Sequence, residues 1–350
     1  MKKFLVVLLV LVIAFLGTWI KFLYTPIVNN HSGYKFMVPA GASMKSVVND
    51  LYDKNIISNR FYFSMLVRMR GDSQLLKAGE YFFPDGTTPS KMLNQMVTGT
   101  GIVYRAFTIV PGWNFKDLSD ALFNNTSIRH KLPHMTNQEL MKILGHPDLD
   151  PEGQFFPDTY FFAEGTYDIV ILKRSFKAMQ TKLNAAWQKR ALGLPYQNPN
   201  EALIAASLIE KEAYLAEEQP RIAGVLVNRL RKDMLLQFDP TVIYGMGVRY
   251  AGSIHKEDLL ENTPYNSYIH KGLPPTPIAM PSLGAIIAVL HPEQNNYLYF
   301  VARGDGSHQF SETLTEHNDA VTDYRKSWFF NEDLLSHHLF KKFPGIYQGT

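Results

Sequence analysis

Two glutamates, Glu210 and Glu212, have the side chain needed for acid–base chemistry and lie in one predicted helix. At ~100° per residue, Glu212 projects into the apolar stripe that contains Ile204 and Leu208, whereas Glu210 points almost the opposite way. Burial disfavours an ionised carboxyl, so the pKa of Glu212 should rise until the group holds a proton near neutral pH. Glu212 is therefore a candidate general acid that donates a proton to a leaving group.

A structural role for Glu212 is the alternative. A buried carboxylate can be neutralised by an arginine, and Arg221 and Arg229 follow Glu212 in the sequence. Ion-pair networks also occupy such positions, and they also perturb pKa values. The helical projection alone therefore leaves both roles open.

The helices and strands predicted along the chain indicate an α+β fold. Ser43 and Asn59 are predicted to cap two helices, and the strand, helix, helix, strand order of 34–83 resembles a LysM module. Such a module binds N-acetylated glycans, or it only spaces the rest of the chain from a membrane. The Pro-, Gly-, Asn- and Tyr-rich stretch 250–281 suits a loop-built cleft. Other predicted elements are a helix from Thr88, a strand over 102–110, helices over 114–122, 168–189 and 317–328, and a strand over 297–301, with 124–150 as loop.

An apolar run from Phe4 to Ile20 follows two lysines at the N-terminus. It is roughly 25 Å long at ~1.5 Å per residue, enough to cross a bilayer. A cleaved signal peptide is the alternative, but the bulky residues of 18–22 disfavour cleavage. The positive-inside rule predicts a single-pass anchor in the cell inner membrane, with a cytoplasmic N-terminus and a periplasmic remainder. We expect this anchor to contribute no core residues.

The composition excludes several kinds of site. The 350 residues contain no cysteine, so disulfides, thiolate nucleophiles and cysteine-built zinc sites are ruled out. A net charge of only +3 does not favour a nucleic-acid partner. His130 and His134 have the spacing of helical metal ligands, but Pro133 lies between them. We expect neither a metal nor a cofactor.

Seven motifs resemble, in order and spacing, those of the MltG (YceG-like) endolytic murein transglycosylases. They are Glu152-Gly153-x-Phe155-x-Pro157-Asp158-Thr159-Tyr160, Ser207 to Glu212, Val227-Asn228-Arg229-Leu230, Leu236 to Gly245, Asn262 to Tyr268, Gly272 to Ile278, and Tyr297 to Val301. The resemblance runs from the anchor to about Arg325. It suggests an anchor over 1–24, a LysM-like module over 34–100, a mixed α+β catalytic domain over 101–330 and a tail of unknown role over 331–350.

The resemblance implies an endolytic cut in peptidoglycan. Family members cleave the β-1,4 bond between N-acetylmuramic acid and N-acetylglucosamine within a glycan strand and leave a 1,6-anhydro end. The family's essential acid corresponds to Glu212. The partners expected for this protein are glycan strands, the cell membrane and peptidoglycan synthases. Expected substrate-binding residues are Asn228, Gln237, Asp239, Thr241 and Tyr244, with Glu152 and Tyr160 on an opposing wall.

Asp239 has two possible roles. As a second carboxylate it would serve a hydrolytic muramidase, because most glycoside hydrolases need two carboxylates. The order Asp239-Pro240-Thr241, with Gly245 downstream, also predicts a capped helix start. A glycan-binding scaffold without catalysis is the remaining alternative, although Glu212, Gln237 and Asp239 are all present.

Overall fold

The structure is a computed structural model that describes residues 2–27 and 32–332. These residues form two compact units. Of the described residues, unit 1 contains those up to 107 together with 125–129 and 161–167, and unit 2 contains 108–124, 130–160 and those from 168 onward. Most of the tail predicted over 331–350 lies outside the described residues.

The strand, helix, helix, strand order predicted for residues 34–83 is present in unit 1. Ser43 and Asn59 cap α2 and α3 by accepting backbone N–H groups, as expected, and Gly71 ends α3 in the left-handed conformation at φ 72°. Strands β1 and β2 pair antiparallel. The elements in the first hundred residues of unit 1 are α1 (Lys2–Tyr24), β1 (Tyr34–Val38), α2 (Met44–Asp53), α3 (Arg60–Arg70), β2 (Gly79–Phe83) and α4 (Pro89–Thr98). The likeness to a LysM module remains a prediction.

Helix α1, predicted to be a membrane anchor, shares the core of unit 1, so the expectation that it contributes no core residues was wrong. Trp19 and Phe22 are each only 7% exposed and belong to the same apolar cluster as Phe63 and Tyr81. The rest of α1 is largely exposed. Helix α1 is the one helix among the described residues that is long and apolar enough to cross a membrane. Apolar residues suit lipid and protein equally, so hydropathy did not reveal which of them face the protein.

Two short strand pairs come next in the chain. Strand β3 (Tyr104–Thr108) pairs with β5 (Thr159–Ala163), and β4 (Ile128–Arg129) pairs parallel with β6 (Thr166–Tyr167). Helix α6 (Asn137–Ile143) lies inside the stretch predicted as loop. A capping box between Thr136 and Glu139 starts it. Its short length leaves little helical periodicity, which explains why it was not predicted.

Helix α8 (Pro199–Glu212) lies at the centre of unit 2. All residues from Ala202 to Ile209 are buried, and α8 packs against α7, α9, α10 and α11. The predicted loop stretch 250–281 holds turns, one 3-10 helix (Asp258–Leu260) and an isolated bridge from Lys271 to Leu235, but no α-helix or strand, as expected. The other elements are α5 (Phe115–Phe123), α7 (Asp168–Gln188), α9 (Gln219–Arg231), α10 (Asp239–Met246), α11 (Leu283–Leu290), β7 (Tyr299–Ala302), β8 (His308–Ser311) and α12 (Leu314–Glu332).

Candidate active site

Glu212 is the last residue of α8, where the buried helix reaches the surface. Asn198 caps the other end of α8 by accepting the Glu201 N–H. Among the described residues no hydrogen bond or ion pair reaches the Glu212 carboxyl, and the residue as a whole is half-buried. Burial, followed by the negative charge of Asp239, raises the pKa of Glu212 to about 8. The carboxyl therefore carries a proton at neutral pH and has that proton free to donate.

The structure excludes an ion pair between Glu212 and either arginine. Arg221 pairs with Glu293, Nε to Oε1 at 2.9 Å. Arg229 is buried and donates to the backbone oxygens of Leu236 at 2.8 Å and Leu298 at 2.6 Å. Both guanidinium groups have structural roles, so the alternative of a neutralised Glu212 does not hold.

Glu210 has different surroundings from Glu212, as the helical projection predicted. Its Oε2 accepts hydrogen bonds from the Ser282 backbone N–H at 3.0 Å and the Ser282 hydroxyl at 2.6 Å. Ser282 is the residue that caps α11. Glu210 therefore ties the start of α11 to α8 through its Oε2.

Asp239 is the charged neighbour of Glu212, and its carboxylate does not cap α10. Helix α10 begins at Asp239, and no side-chain capping bond is present. Instead the Tyr268 hydroxyl donates to Asp239 Oδ1 at 2.5 Å. Burial raises the pKa of Asp239 to about 7, and the hydrogen bond from Tyr268 opposes that rise. The prediction of Asp239 as an N-cap was wrong because a tertiary contact engages the side chain instead.

Tyr268 has a site role that the sequence did not reveal. It lies 29 residues beyond Asp239 in the loop stretch, within a motif to which no role was given. Its pKa is raised, chiefly by burial and then by the charge of Asp239, with a smaller contribution from Glu212. The tyrosine is therefore a neutral donor at physiological pH. No local spacing rule connects residues this far apart.

Gln237 is exposed and in a strained backbone conformation. Its φ of 54° lies in the left-handed region, which costs a residue with a side chain about 1 kcal/mol or more. The backbone is held there by its N–H, which donates to Ser267 O at 3.0 Å, between the buried residues Leu236 and Phe238. Gln237 Oε1 accepts from Arg229 at 3.1 Å. The side-chain amide N–H groups remain available to a ligand.

Two of the expected binding residues have structural contacts instead. Thr241 is 0% exposed, and its hydroxyl bonds to Phe238 O at 2.5 Å and to the Ser267 hydroxyl at 2.8 Å. Asn228 donates to Tyr297 O at 3.0 Å and so holds the chain before β7. A glycan would have to break these bonds to reach either side chain, and a substrate-binding role for Thr241 and Asn228 stays a prediction.

The expected opposing wall is also internal. Glu152 is 4% exposed and accepts from the Phe115 N–H at 3.0 Å and the Tyr244 hydroxyl at 3.0 Å. Burial raises its pKa to about 7. Tyr160 is buried and donates to Phe156 O at 2.7 Å. Glu152, Tyr160 and the Tyr244 hydroxyl are therefore engaged by internal hydrogen bonds, and their role in substrate binding stays a prediction.

One exposed aromatic near Glu212 was missed. Tyr214 follows Glu212 by two residues and is 81% exposed. Gly306, in the turn between β7 and β8, approaches its ring so closely that a Cβ there would lie 3.1 Å from Tyr214 Cδ1. An aromatic face beside a candidate acid offers an apolar surface to a sugar ring. Among the described residues no group of three or more His, Asp or Glu side chains is arranged to hold a metal.

Residues 36–323 match the model of the YceG-like family. The chain belongs to the YceG-like family. This YceG-like chain is 30% identical to the endolytic murein transglycosylase of Bacillus subtilis strain 168 over 311 residues, which cover 83% of the chain and 84% of that protein.

More distant relatives and a solved structure agree with this family. The YceG-like chain is 26% identical over 324 residues to the endolytic murein transglycosylase of Streptococcus pneumoniae strain D39, covering 83% of the chain but 58% of that longer protein. The crystal structure of a YceG-like protein from Listeria monocytogenes superposes with a TM-score of 0.53 at 28% identity. That match covers 83% of this chain and 99% of the other.

Proposed function

We propose that this YceG-like protein is a membrane-anchored lytic transglycosylase of peptidoglycan. It cleaves the bond from N-acetylmuramic acid to N-acetylglucosamine within a strand and leaves a 1,6-anhydro-N-acetylmuramic acid end. One observation carries the proposal. Glu212 is an unpaired carboxyl beside Asp239, with its pKa raised to about 8, at the end of a buried helix. The names of the relatives agree with this chemistry.

The reaction needs one group that first gives and then takes a proton. Glu212 protonates the glycosidic oxygen as the bond to C1 of the muramic acid breaks. The resulting Glu212 carboxylate then accepts the proton of the C6 hydroxyl as that oxygen bonds to C1. Because the nucleophile belongs to the substrate, no water is consumed and Glu212 ends the cycle protonated.

Asp239 and Tyr268 support this cycle electrostatically. Positive charge develops at C1 in an oxocarbenium-like transition state, and a carboxylate nearby stabilises it. The Tyr268 hydroxyl bonds to Asp239 and favours its ionised form. The charge of Asp239 in turn raises the pKa of Glu212. Glu212 thus acts as the proton donor, and Asp239 stabilises the positive charge that develops at C1.

Substrate contacts are proposed for two exposed side chains. Gln237 offers its amide N–H groups to a sugar hydroxyl or acetamide, since Arg229 already occupies its oxygen. Tyr214 offers its ring face to a neighbouring sugar. Neither side chain must break an internal bond to bind.

We propose that helix α1 holds this activity at a membrane. We propose a single-pass anchor in the cell inner membrane with its N-terminus in the cytoplasm and the catalytic part in the periplasm. The length and apolar composition of α1 support the span, and Lys2 and Lys3 support the orientation. Residues 34–100 then bind glycan as a LysM-like module or space the active site from the bilayer. Peptidoglycan synthases are partners proposed from the family resemblance.

Mass spectrometry of the products tests this function. The full-length protein is incubated with isolated glycan strands, and the new ends are identified. Anhydro ends are expected, and Glu212→Gln should remove them. New reducing ends would instead establish a hydrolytic muramidase, and no cleavage would establish a scaffold.

A further inference from the structure

A cavity of about 440 Å³ lies in unit 1 where α1 ends. Its polar lining comes from α1 and the chain just beyond it, and from the turn between α2 and α3. These residues are Thr18, Lys21, Thr25, Asn55, Ser58 and Asn59. Phe22, Ile56 and Tyr62 provide an apolar wall. None of the residues used in the proposed catalytic site takes part.

The cavity has a rigid frame. The Thr18 and Tyr62 hydroxyls bond at 2.9 Å, and the Tyr62 ring centroid lies 5.7 Å from Trp19 and 5.4 Å from Phe22. Beyond α1, the Ile27 N–H donates to Thr87 O at 2.9 Å. The two sides of the cavity are therefore held together by packing and hydrogen bonds.

The position of the cavity along α1 corresponds to a lipid headgroup. The apolar run of α1 ends at Ile20, and Lys21 is the first charged residue after it. If α1 spans the bilayer as proposed above, Lys21 and the cavity lie at the polar boundary. Tyr24 and Phe61 are 74% and 61% exposed nearby, as is typical of aromatic residues at that depth.

The charge of the lining indicates the kind of headgroup. Lys21 contributes a positive charge, and none of the described residues that line the cavity carries a carboxylate. No ion pair engages Lys21 among the described residues. The Thr18 and Thr25 hydroxyls donate to backbone oxygens of α1. The Ser58 hydroxyl and the amide N–H groups of Asn55 and Asn59 supply the further donors of the lining, so this part of the cavity is complementary to a phosphodiester. A lining without a carboxylate offers no partner to the ammonium of a zwitterionic headgroup.

We propose that this cavity binds the headgroup of an anionic phospholipid, with the phosphodiester at Lys21 and the glycerol on the apolar wall. The proposal rests on the membrane anchoring in the proposed function but not on the catalytic chemistry. Such a lipid contacts both α1 and α3 and holds the LysM-like module (residues 34–100) at the membrane surface.

Native mass spectrometry of the full-length protein in mild detergent tests this site, with phosphatidylglycerol and phosphatidylcholine as probes. We expect a phosphatidylglycerol adduct that phosphatidylcholine does not reproduce. Lys21→Gln should weaken it about fivefold, which equals ~1 kcal/mol, the contribution of one cation near an anionic surface. Ser58→Phe, which fills the cavity at unchanged charge, should also weaken it. Lys45→Gln, on the exposed face of α2, is the matched control.

Several outcomes would overturn the site. One is an equal loss in Lys45→Gln and Lys21→Gln, which would indicate nonspecific attraction. Another is full binding in both Lys21→Gln and Ser58→Phe. Displacement of the lipid by millimolar inorganic phosphate would reassign the cavity to free phosphate. Product analysis and membrane fractionation of the same variants report separately on catalysis and anchoring, so a failure of either is distinguished from a failure of this site.

Discussion

At the residue scale, environment separates two glutamates that are chemically identical. Glu210 accepts two hydrogen bonds from Ser282, whereas Glu212 has no such partner among the described residues and lies beside Asp239. Hydrogen bonds favour the ionised form of a carboxyl, and burial beside a like charge favours the protonated form. The same side chain is therefore a structural acceptor at one position and a proton donor two residues later.

Glu212→Gln should abolish most of the activity, because an amide cannot deliver a proton. We expect a loss of at least ~10²-fold in kcat, the usual contribution of general acid–base catalysis. Glu210→Gln is the matched control and should keep much more activity. The wild-type rate should fall above about pH 8 as Glu212 ionises. Quantified muropeptide release checks each point, and an active Glu212→Gln beside an inactive Glu210→Gln would reassign the acid.

Tyr268→Phe should move the alkaline side of the pH–rate profile to lower pH. Without the hydrogen bond from Tyr268, the pKa of Asp239 rises, so Asp239 carries less negative charge near neutral pH. The pKa of Glu212 then falls toward its ordinary value. Tyr265→Phe is the control, since Tyr265 bonds to Thr276 in the same loop. Coincident alkaline limbs in Tyr268→Phe and wild type would show that the pair does not tune Glu212.

At the element scale, helix ends position the candidate site. Helix α8 carries Glu212 at its last residue, and α10 begins with Asp239. Gly245 in α10 lies so close to the loop that a Cβ there would be 2.4 Å from Thr263 Oγ1. Only glycine permits this approach, which brings the loop that bears Tyr268 against α10. Helix α1 has an equally definite contact, through Trp19 and Phe22 in the core of unit 1.

Removal of α1 should destabilise unit 1. Deletion of residues 2–24 uncovers the apolar surface beneath Trp19 and Phe22, whereas deletion of 2–13 keeps both side chains. In the full chain, Trp19→Ala should cost ~3–5 kcal/mol of unfolding free energy, as for other buried tryptophans. The neighbouring Ile20→Ala is the control, because Ile20 is 55% exposed. Denaturant unfolding in detergent measures both, and equal midpoints for the two variants would refute this packing role.

At the scale of the whole molecule, three carboxyls make stability depend on pH. Burial raises the pKa of Glu152 and Asp239 to about 7 and that of Glu212 to about 8. A carboxyl whose folded pKa exceeds its unfolded pKa keeps its proton longer in the folded state. Its contribution to stability is complete below the unfolded pKa, near 4, and is lost as pH rises through the folded value. The acids of the site therefore favour the folded state in mild acid.

Unfolding free energy should fall as pH rises from about 5 to 8. The slope is ~1.4 kcal/mol per pH unit for each proton that only the folded state retains. The double variant Glu212→Gln, Asp239→Asn should show a flatter profile and greater stability than wild type at pH 8.5. Urea titrations across this range measure the slope. Parallel profiles in wild type and variant would mean that these carboxyls are not perturbed.

The sequence by itself determined where helices start, which way the two glutamates point and which family the chain belongs to. Helical periodicity separated Glu212 from Glu210, cap residues such as Ser43 and Asn59 predicted helix starts, and the motif order predicted the YceG-like family. The periodicity and the caps lie within a few residues of chain, where helix geometry is the same in every fold, and the motif order needs no knowledge of the fold. A helix as short as α6 carried too little of that signal.

The tertiary structure alone decided which partner each side chain meets. It paired Asp239 with Tyr268 across 29 residues of chain and turned the hydroxyl of Thr241 and the carboxyl of Glu152 inward. It also brought Trp19 of helix α1 into a protein core. A motif shows that a polar or apolar group is present but not the direction in which it points. That direction depends on packing between segments far apart in sequence.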